Sequence, residues 1–168
     1  MRVYAIALTT AAVSALIFTA GAPATRTSGR VIRFIEVEKA SSDVFLDVDQ
    51  NDQPSVGDSI MTNPTLYAWA KGGGRGAHIG HARVQCTFEG RSPNNPEGVR
   101  GAFCQGTFFF HGGTVGAEGY VNFSDEKVTV PVVGGTGAYE GARGTFSSRT
   151  THDTSAGSVS ADIIRLLP

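Results

Sequence analysis

Hydrophobic and polar residues alternate with a period of two along most of this chain. In residues 80–89 and 103–111, small or apolar side chains fall on one face and mostly polar side chains on the other. Such alternation predicts half-buried β-strands. Clusters of Gly, Asn, Asp and Pro separate further strand-like segments. The predicted strands are residues 31–38, 44–48, 59–69, 80–89, 103–111, 114–123, 127–133, 144–151 and 158–167.

The number of these segments decides the predicted fold class. No segment has an apolar stripe with helical spacing, so we expect an all-β domain. Many short strands joined by turns are typical of an antiparallel barrel or sandwich, and closure into a barrel would remove exposed strand edges. The 22 glycines among 168 residues fit a chain with many turns. The length is that of one domain.

Net charge and hydrophobic content then exclude two classes of protein. Charged residues make up 17% of the chain, and the formal net charge is −1. The chain therefore lacks the basic excess that draws proteins to nucleic acid by counterion release. A hydrophobic content of 40% argues against a disordered chain.

The first 24 residues have the pattern of a secretory signal peptide. Arg2 supplies the positive start, residues 3–20 are uncharged and mostly apolar, and Ala22-Pro23-Ala24 supplies small residues for cleavage. Cleavage after Ala24 would leave residues 25–168 as a secreted, extracellular domain with no membrane association and a net charge of −2, because Arg2 leaves with the leader. An uncleaved membrane anchor is the alternative.

Hairpin geometry places the two cysteines. If residues 80–89 pair with residues 103–111 around a turn centred on Asn95, Cys86 faces Cys104. The Cβ atoms of directly opposed residues lie about 4.5–5.5 Å apart, within reach of a disulfide after local twisting. We therefore predict a Cys86–Cys104 disulfide, which an exported protein can form. Two buried free thiols or a Cys/His nucleophile are the alternatives.

Residues 134–141 are rich in glycine, as nucleotide-binding loops are. A dinucleotide fingerprint that starts at Gly135 would need glycine in place of Glu140 and a helix afterwards. The next residues have strand-like sequence instead, and the Lys-Ser/Thr pair of a P-loop is absent. The segment is predicted to be a tight turn between strands.

Two groups of side chains could hold a metal ion, although no metal is expected. The spacing of the first resembles a calcium loop, but Asp52 stands where that loop needs glycine, which favours a polar turn. The second contains histidines that could bind zinc, but they share the polar faces of their strands, where exposed histidines are ordinary. The groups are Asp47, Asp49, Asn51 and Asp58, and His78, His81 and His111.

Several segments, taken in order, form a more specific pattern. Residues 130–139 spell Val-Pro-Val-Val-Gly-Gly-Thr-Gly-Ala-Tyr, and Ala142-Arg143-Gly144 follows. Upstream, Gly57-Asp58-Ser59 precedes residues 63–67, and Ile79-Gly80 precedes Cys86. Together, from about residue 57 to residue 144, these segments resemble the dirigent proteins and the plant allene oxide cyclases.

The resemblance implies a fold and a kind of ligand. It implies an eight-stranded antiparallel up-and-down β-barrel with a mostly apolar internal cavity, usually assembled as a homo-trimer. It implies a hydrophobic small molecule as the ligand and no cofactor. The residues expected to line the cavity are Tyr67, Ala82, Val84, Phe88, Phe108 and Phe110.

The resemblance also suggests catalytic residues. Plant allene oxide cyclases close an unsaturated fatty-acid epoxide into a cyclopentenone, with the help of a carboxylate on the first strand. Glu36 matches that carboxylate, and Asn63 matches a polar group if one residue is inserted at Pro64. A disulfide at Cys86 would depart from the free cavity thiol of the plant enzymes, so the plant reaction itself is not expected.

Three functions remain open at this point. The first is a cyclase- or isomerase-type barrel that holds one conformer of an apolar molecule, with Glu36 stabilising charge. The second is a secreted binding barrel without chemistry, and the third is a structural or interaction module. Dirigent proteins add a related possibility, the stereoselective coupling of bound partners. One fold hosts many functions, so the choice depends on the site.

Overall fold

The computed structural model describes residues 29–91 and 98–168 of the chain, and the predicted signal peptide lies outside these residues. The described residues form ten strands and two single-turn 3-10 helices, at Ala40–Ser42 and Gly137–Tyr139. No helix in these two ranges is long and apolar enough to cross a membrane. The strands are β1 (Val31–Val37), β2 (Val44–Leu46), β3 (Ser59–Thr62), β4 (Thr65–Trp69), β5 (Arg75–Arg91), β6 (Val99–Phe110), β7 (Gly113–Asn122), β8 (Val128–Gly135), β9 (Gly144–Thr154) and β10 (Gly157–Leu166).

Eight of these strands close into a barrel. Strand β1 pairs with β4 and β10, and β5 pairs with β4 and β6, so the sheet has no free edge within the ring. The order around the barrel is β1, β4, β5, β6, β7, β8, β9 and β10, and the pairs are antiparallel. Strand β3 extends the line of β4 along the later half of β5, and β2 pairs with β3. The predicted all-β, eight-stranded up-and-down barrel is confirmed.

The predicted strand over residues 59–69 is interrupted, and proline is the physical reason. Pro64 has no N–H group for the ladder. Its carbonyl still accepts a hydrogen bond from the Ala82 N–H at 2.9 Å. Strand β3 ends at Thr62, opposite Val84, and β4 begins at Thr65, opposite His81. The two short strands therefore cover consecutive parts of β5.

The hairpin of β5 and β6 has the predicted register. Ala82 pairs with Phe108 and Cys86 pairs with Cys104. The two cysteine Cα atoms are 4.0 Å apart, and a disulfide joins their side chains. The predicted Cys86–Cys104 bond is confirmed, and the alternatives of free thiols and a thiol nucleophile are excluded for this structure.

The core fills the barrel interior with interlocking aromatic and aliphatic side chains. Phe34 on β1 is fully buried, and its ring packs edge-on against Phe108 and Phe110, with centroids 5.6 and 5.7 Å away. The Phe108 ring also contacts Phe146 on β9 at 4.8 Å. The core therefore ties β1, β6 and β9 together across the lumen.

The glycine-rich turn after β8 closes one end of the barrel. Its 3-10 helix carries Tyr139, which is buried against Phe110 with ring centroids 5.7 Å apart. The Arg30 guanidinium lies over the outer side of the same ring, 4.9 Å from its centroid. The segment is thus the predicted turn between two strands, and its role is to plug the barrel end.

One pair of glycines in this turn tests why glycine is needed there. Gly137 and Gly141 both have positive φ, +60° and +72°. A Cβ at Gly137 would lie 2.3 Å from the Gly112 carbonyl oxygen, whereas one at Gly141 would meet nothing within 4 Å. We expect Gly141→Ala to cost about 1 kcal/mol of unfolding free energy, the usual left-handed penalty, and Gly137→Ala to cost about twice that. Urea unfolding measures both losses of unfolding free energy. Equal losses would show that the close Gly112 carbonyl oxygen adds no cost at Gly137.

Candidate functional site

A small cavity lies in the middle of the barrel. Its volume is about 120 Å³, and most of its wall is apolar. Two polar side chains, Glu36 from β1 and Ser148 from β9, interrupt that wall. The remaining lining residues are Val84, Cys104, Gly106, Phe108, Ala117, Val121, Val128, Val130 and Phe146.

Glu36 enters this cavity because of strand alternation. It lies two residues after the buried Phe34, so both side chains point to the interior of the barrel. Burial among apolar groups, and then the negative charge of Asp162, raise the pKa of Glu36 well above its usual range. Both effects favour the protonated form of Glu36.

Asp162 on β10 is the carboxyl group beside Glu36. Its strand position pairs with Phe34 on one side and Ser148 on the other, so it also points inward. The side chain is completely buried, and neither of its oxygens makes a well-aligned hydrogen bond. Burial raises the pKa of Asp162 to about 7, although Ser148 and Glu36 lie close enough to lower it in part.

The pair lacks a positive partner among the described residues. The groups that shift the pKa of Glu36 are Asp162 and Glu38, and those that shift the pKa of Asp162 are Ser148 and Glu36. No lysine, arginine or histidine of the described chain appears in either set. Two carboxyl groups that share a buried site cannot both ionise at low cost. The arrangement therefore favours a proton held between Glu36 and Asp162.

A second carboxyl pair lies towards the barrel end opposite Tyr139. Glu38 follows Glu36 by two residues and shares its inward face, where Thr62 hydrogen-bonds to it. Burial, and next the charge of Asp43, raise the pKa of Glu38, and burial raises the pKa of Asp43 as well. A line of acidic side chains therefore runs from the cavity towards this end.

The structure places five of the six predicted cavity residues in the barrel interior. Val84 and Phe108 line the cavity itself. The others belong to the packed core, where Ala82 is fully buried, Phe88 is 8% exposed and Phe110 contacts Phe34.

Tyr67 is the exception, because it lies on the outer face of the barrel. Its neighbour Leu66 is fully buried in the core, and successive side chains of a strand point to opposite faces. The Tyr67 ring lies on the outside of the barrel against His78, and the Arg75 guanidinium is 4.9 Å from its centroid.

Asn63 also lies outside the barrel. It is exposed and lines an outer groove of about 540 Å³, together with Met61, Arg83 and Gln105. Glu36 lies in the interior, so the structure does not bring Glu36 and Asn63 together. Alternation continues through Pro64, since Thr62, Pro64 and Leu66 are all buried, so Asn63 lies on the outward face of the sheet.

The acidic turn after β2 is stabilised by its own backbone. Oxygens of Asp47, Asp49 and Asp58 lie close enough to share a metal ion. However, the Asp47 carboxylate accepts hydrogen bonds from three backbone N–H groups, and Asp58 accepts from the N–H groups of Val48 and Ser55 at 2.7 and 2.8 Å. The bond from Val48 is the main cause of the lowered pKa of Asp58. Asn51 bonds within the same turn, so these contacts describe the predicted polar turn.

The three predicted zinc-ligand candidates are exposed. His81 stacks on Phe109 with ring centroids 4.6 Å apart, and His78 contacts Tyr67. Among the described residues, the histidines His78, His81 and His111 do not form a group able to share a metal ion.

Sequence reasoning missed Asp162, Ser148 and Glu38. The segment 158–167 has apolar residues on both faces, with Val159, Ala161 and Ile163 on one and Ile164 and Leu166 on the other. The inward face is the second, which carries Asp162. Asp162 falls on the same strand face as Ile164 and Leu166. A polar residue on this otherwise apolar face was the signal that could have identified it.

Comparisons with known proteins agree with this barrel. A family model described as "Dirigent-like protein" matches residues 39–165. No curated protein sequence gives a significant match. Among solved structures, a pyocyanin demethylase is 18% identical over 82% of this chain and 99% of its own, with a TM-score of 0.62.

Two further solved structures share the fold. The pterocarpan synthase dirigent protein PsPTS1 is 17% identical over 84% of this chain and 96% of its own, with a TM-score of 0.69. The Diels Alderase AbmU from Streptomyces koyangensis is 15% identical over 87% of this chain and 72% of its own, with a TM-score of 0.58. At these identities the likeness concerns the barrel architecture alone.

Proposed function

This chain belongs to the dirigent-like protein family, and from that premise we propose that its barrel binds a hydrophobic small molecule and steers its cyclisation, isomerisation or stereoselective coupling. The observation that carries the proposal is the Glu36 carboxyl group at the wall of a mostly apolar cavity, with the buried Asp162 carboxyl group beside it. Structures of the same fold include a pterocarpan synthase dirigent protein and a Diels Alderase.

The apolar wall supplies the larger part of the proposed effect. A molecule held between Phe108, Phe146 and the valines of β8 loses the freedom to adopt other conformers, so the ring-closing or coupling geometry is selected before the reaction. Water is kept from the reacting atoms by the same side chains. No cofactor is needed for this step.

The carboxyl pair supplies the polar part. Glu36 in its protonated form can donate a proton to an oxygen atom of the bound molecule as negative charge develops there. The remaining negative charge is then shared between Glu36 and Asp162, and a proton released by the product restores the pair. Asp162 therefore acts as a positioning residue that keeps the proton on Glu36.

The cavity volume limits the ligand. About 120 Å³ is well below the roughly 300–1,000 Å³ of sites for drug-sized ligands. It approaches the roughly 150 Å³ of an engineered cavity that binds benzene. We therefore propose that one ring of the ligand occupies the cavity and that the rest extends towards the barrel end where Glu38 lies.

Filling the cavity tests this proposal. A Cβ at Gly106 would stand 3.5 Å from a Val84 methyl group and 3.8 Å from the Phe108 ring, which are ordinary contacts. Gly106→Val therefore places its two further methyl groups in the cavity, and we expect the affinity for toluene to fall at least tenfold. Titration followed by NMR measures the affinity, and native mass spectrometry of protein from the source culture identifies any retained ligand.

The matched control is Gly134→Val. A Cβ at Gly134 has nothing within 4 Å, so this valine adds the same volume away from the cavity. Toluene binding should be unchanged in this variant. Equal binding by the wild type and both variants would contradict the cavity as the ligand site.

A binding barrel without chemistry is the second candidate function. The position of Asn63 outside the barrel favours it, because the cavity then lacks one of the two groups suggested for catalysis. Glu36→Gln separates the two functions. A catalytic role predicts that the retained ligand still binds while its conversion is lost, whereas a binding role predicts unchanged ligand chemistry.

We further propose that residues 25–168 form a secreted domain that assembles as a homo-trimer. The disulfide supports an oxidising compartment. Exposed apolar side chains on the outer barrel face, among them Met61, Phe103, Tyr120 and Val133, support assembly. Native mass spectrometry of the exported protein reports both the mature N-terminus and the number of subunits.

A further inference from the structure

Asp162 is an unsatisfied buried group beside the cavity-lining Glu36. Its carboxyl group is fully buried, and both of its oxygens lack a hydrogen-bond partner. A buried acceptor without a donor costs about 1–3 kcal/mol, and more when it is charged. Native structures seldom leave such a group unsatisfied, so each case calls for an explanation.

The surroundings of Asp162 indicate the missing group. Glu36 and Ser148, the side chains that approach Asp162, both line the cavity, and the neighbouring carboxyl groups of Glu38 and Asp43 follow towards the barrel end. No lysine, arginine or histidine in the described part of the chain contributes to the electrostatics of Glu36 or Asp162. These carboxyl groups therefore have no internal counter-ion, and a bound cation would stabilise their ionised forms.

The aromatic part of the wall is suited to a cation as well. The Phe108 and Phe146 ring centroids are 4.8 Å apart and both rings line the cavity, so a bound molecule lies against aromatic side chains. Aromatic faces attract organic cations, more strongly where water is excluded. These carboxyl groups do not converge closely enough to form a metal site among the described residues, which favours an organic cation.

We propose that the ligand of this barrel is a cyclic molecule carrying a basic nitrogen, which binds as a cation against the Glu36–Asp162 pair while its ring lies on Phe108 and Phe146. The inference rests on the proposed function, because it names the ligand class of the same cavity. If the ligand enters as a neutral base, its nitrogen takes the proton that the pair holds: an N–H bond forms and the carboxyl O–H bond breaks. If it enters already protonated, the pair releases its proton to solvent.

Two small molecules of equal size test whether the cavity prefers a cationic ligand. 4-Aminopyridine is cationic at neutral pH, and aniline, with the same number of non-hydrogen atoms, is neutral. We expect the purified protein to bind 4-aminopyridine at least tenfold more tightly than aniline at pH 7.5, the range for one charge-assisted hydrogen bond. NMR titration measures both affinities, and toluene serves as the uncharged, apolar reference.

Single-residue variants test whether Glu36 and Asp162 cause the preference for the cationic probe. Asp162→Asn should remove the preference for 4-aminopyridine and leave aniline binding within twofold, and Glu36→Gln should do the same if the first variant does not fold. Glu140→Gln, an exposed carboxylate, should change neither.

The outcomes separate this inference from the proposed function. Binding of toluene and aniline without a preference for the cation would overturn the inference and leave the ligand-binding barrel standing. No binding of any of the three probes would overturn both. A cation preference that survives in both pair variants would also overturn the inference, since another group would then hold the nitrogen.

Discussion

Replacing Glu36 with Gln and Asp162 with Asn together is expected to stabilise the barrel by about 4 kcal/mol at pH 8. The burial of Asp162 raises its pKa from 3.8 to about 7 in the folded protein. Each unit of pKa difference between folded and unfolded states corresponds to about 1.4 kcal/mol. Neutral amides of similar shape remove the cost of holding negative charge in the lumen.

The sign of the pH dependence follows from the raised pKa. Between about pH 4 and pH 7 the folded state binds more protons than the unfolded state, so stability falls as pH rises through this window. For Asp162 the cost is complete above about pH 7. The shifts of Glu36, Glu38 and Asp43 have the same sign, and they add to the fall.

Thermal and urea unfolding between pH 5 and pH 8.5 measure this effect. The wild type should lose stability towards high pH, and the double variant should have a flatter profile and melt about 10 °C higher at pH 8. Glu140→Gln should follow the wild-type profile. A wild-type stability that rises from pH 5 to pH 8 would show that the pair is not held in its protonated form.

Removing the disulfide with Cys86→Ala and Cys104→Ala is expected to destabilise the barrel by about 3 kcal/mol. The bond joins residues separated by 18 positions, and a closed loop of this size restricts the unfolded chain by about that amount. The β5–β6 ladder itself pairs residues on both sides of the bond, so we expect the variant to fold.

Chemical denaturation with and without reductant measures this loss. Reduction should destabilise the wild type to the level of the double-alanine variant and leave that variant unaffected. A loss below about 1 kcal/mol would show that the hairpin is equally restricted without the bond.

Most of the fold could be predicted because strand alternation is a local signal. The β5–β6 register followed from two alternating segments and a turn, and it placed Cys86 opposite Cys104 correctly. The break at Pro64 was visible in the sequence as well, since proline cannot donate to a ladder. The outward facing of Asn63 was not, because Thr62, Pro64 and Leu66 occupy the buried face, and alternation alone does not determine which face of a strand is buried.

Of the two residues in the carboxyl pair, only Glu36 could be predicted from the sequence. Glu36 was identified by resemblance, on a strand whose alternation placed it beside Phe34. Asp162 was missed because β10 is apolar on both faces, and on the outer face Ala161 stands beside the apolar Ile35 of β1. Which face of such a strand is buried depends on its partners in the closed barrel, and period-two alternation does not contain that information.

The pairing of β1 with β10 has a consequence for the order of folding. These are the first and last strands described, and their contact closes the ring, so it spans the longest separation along the chain. Contacts of this kind form slowly, because a long loop must close before they stabilise the structure. Glu36 and Asp162 stand on either side of this seam. The pair therefore comes into being with the final closure of the barrel, and a partly assembled chain has an open sheet with two ordinary, hydrated acids.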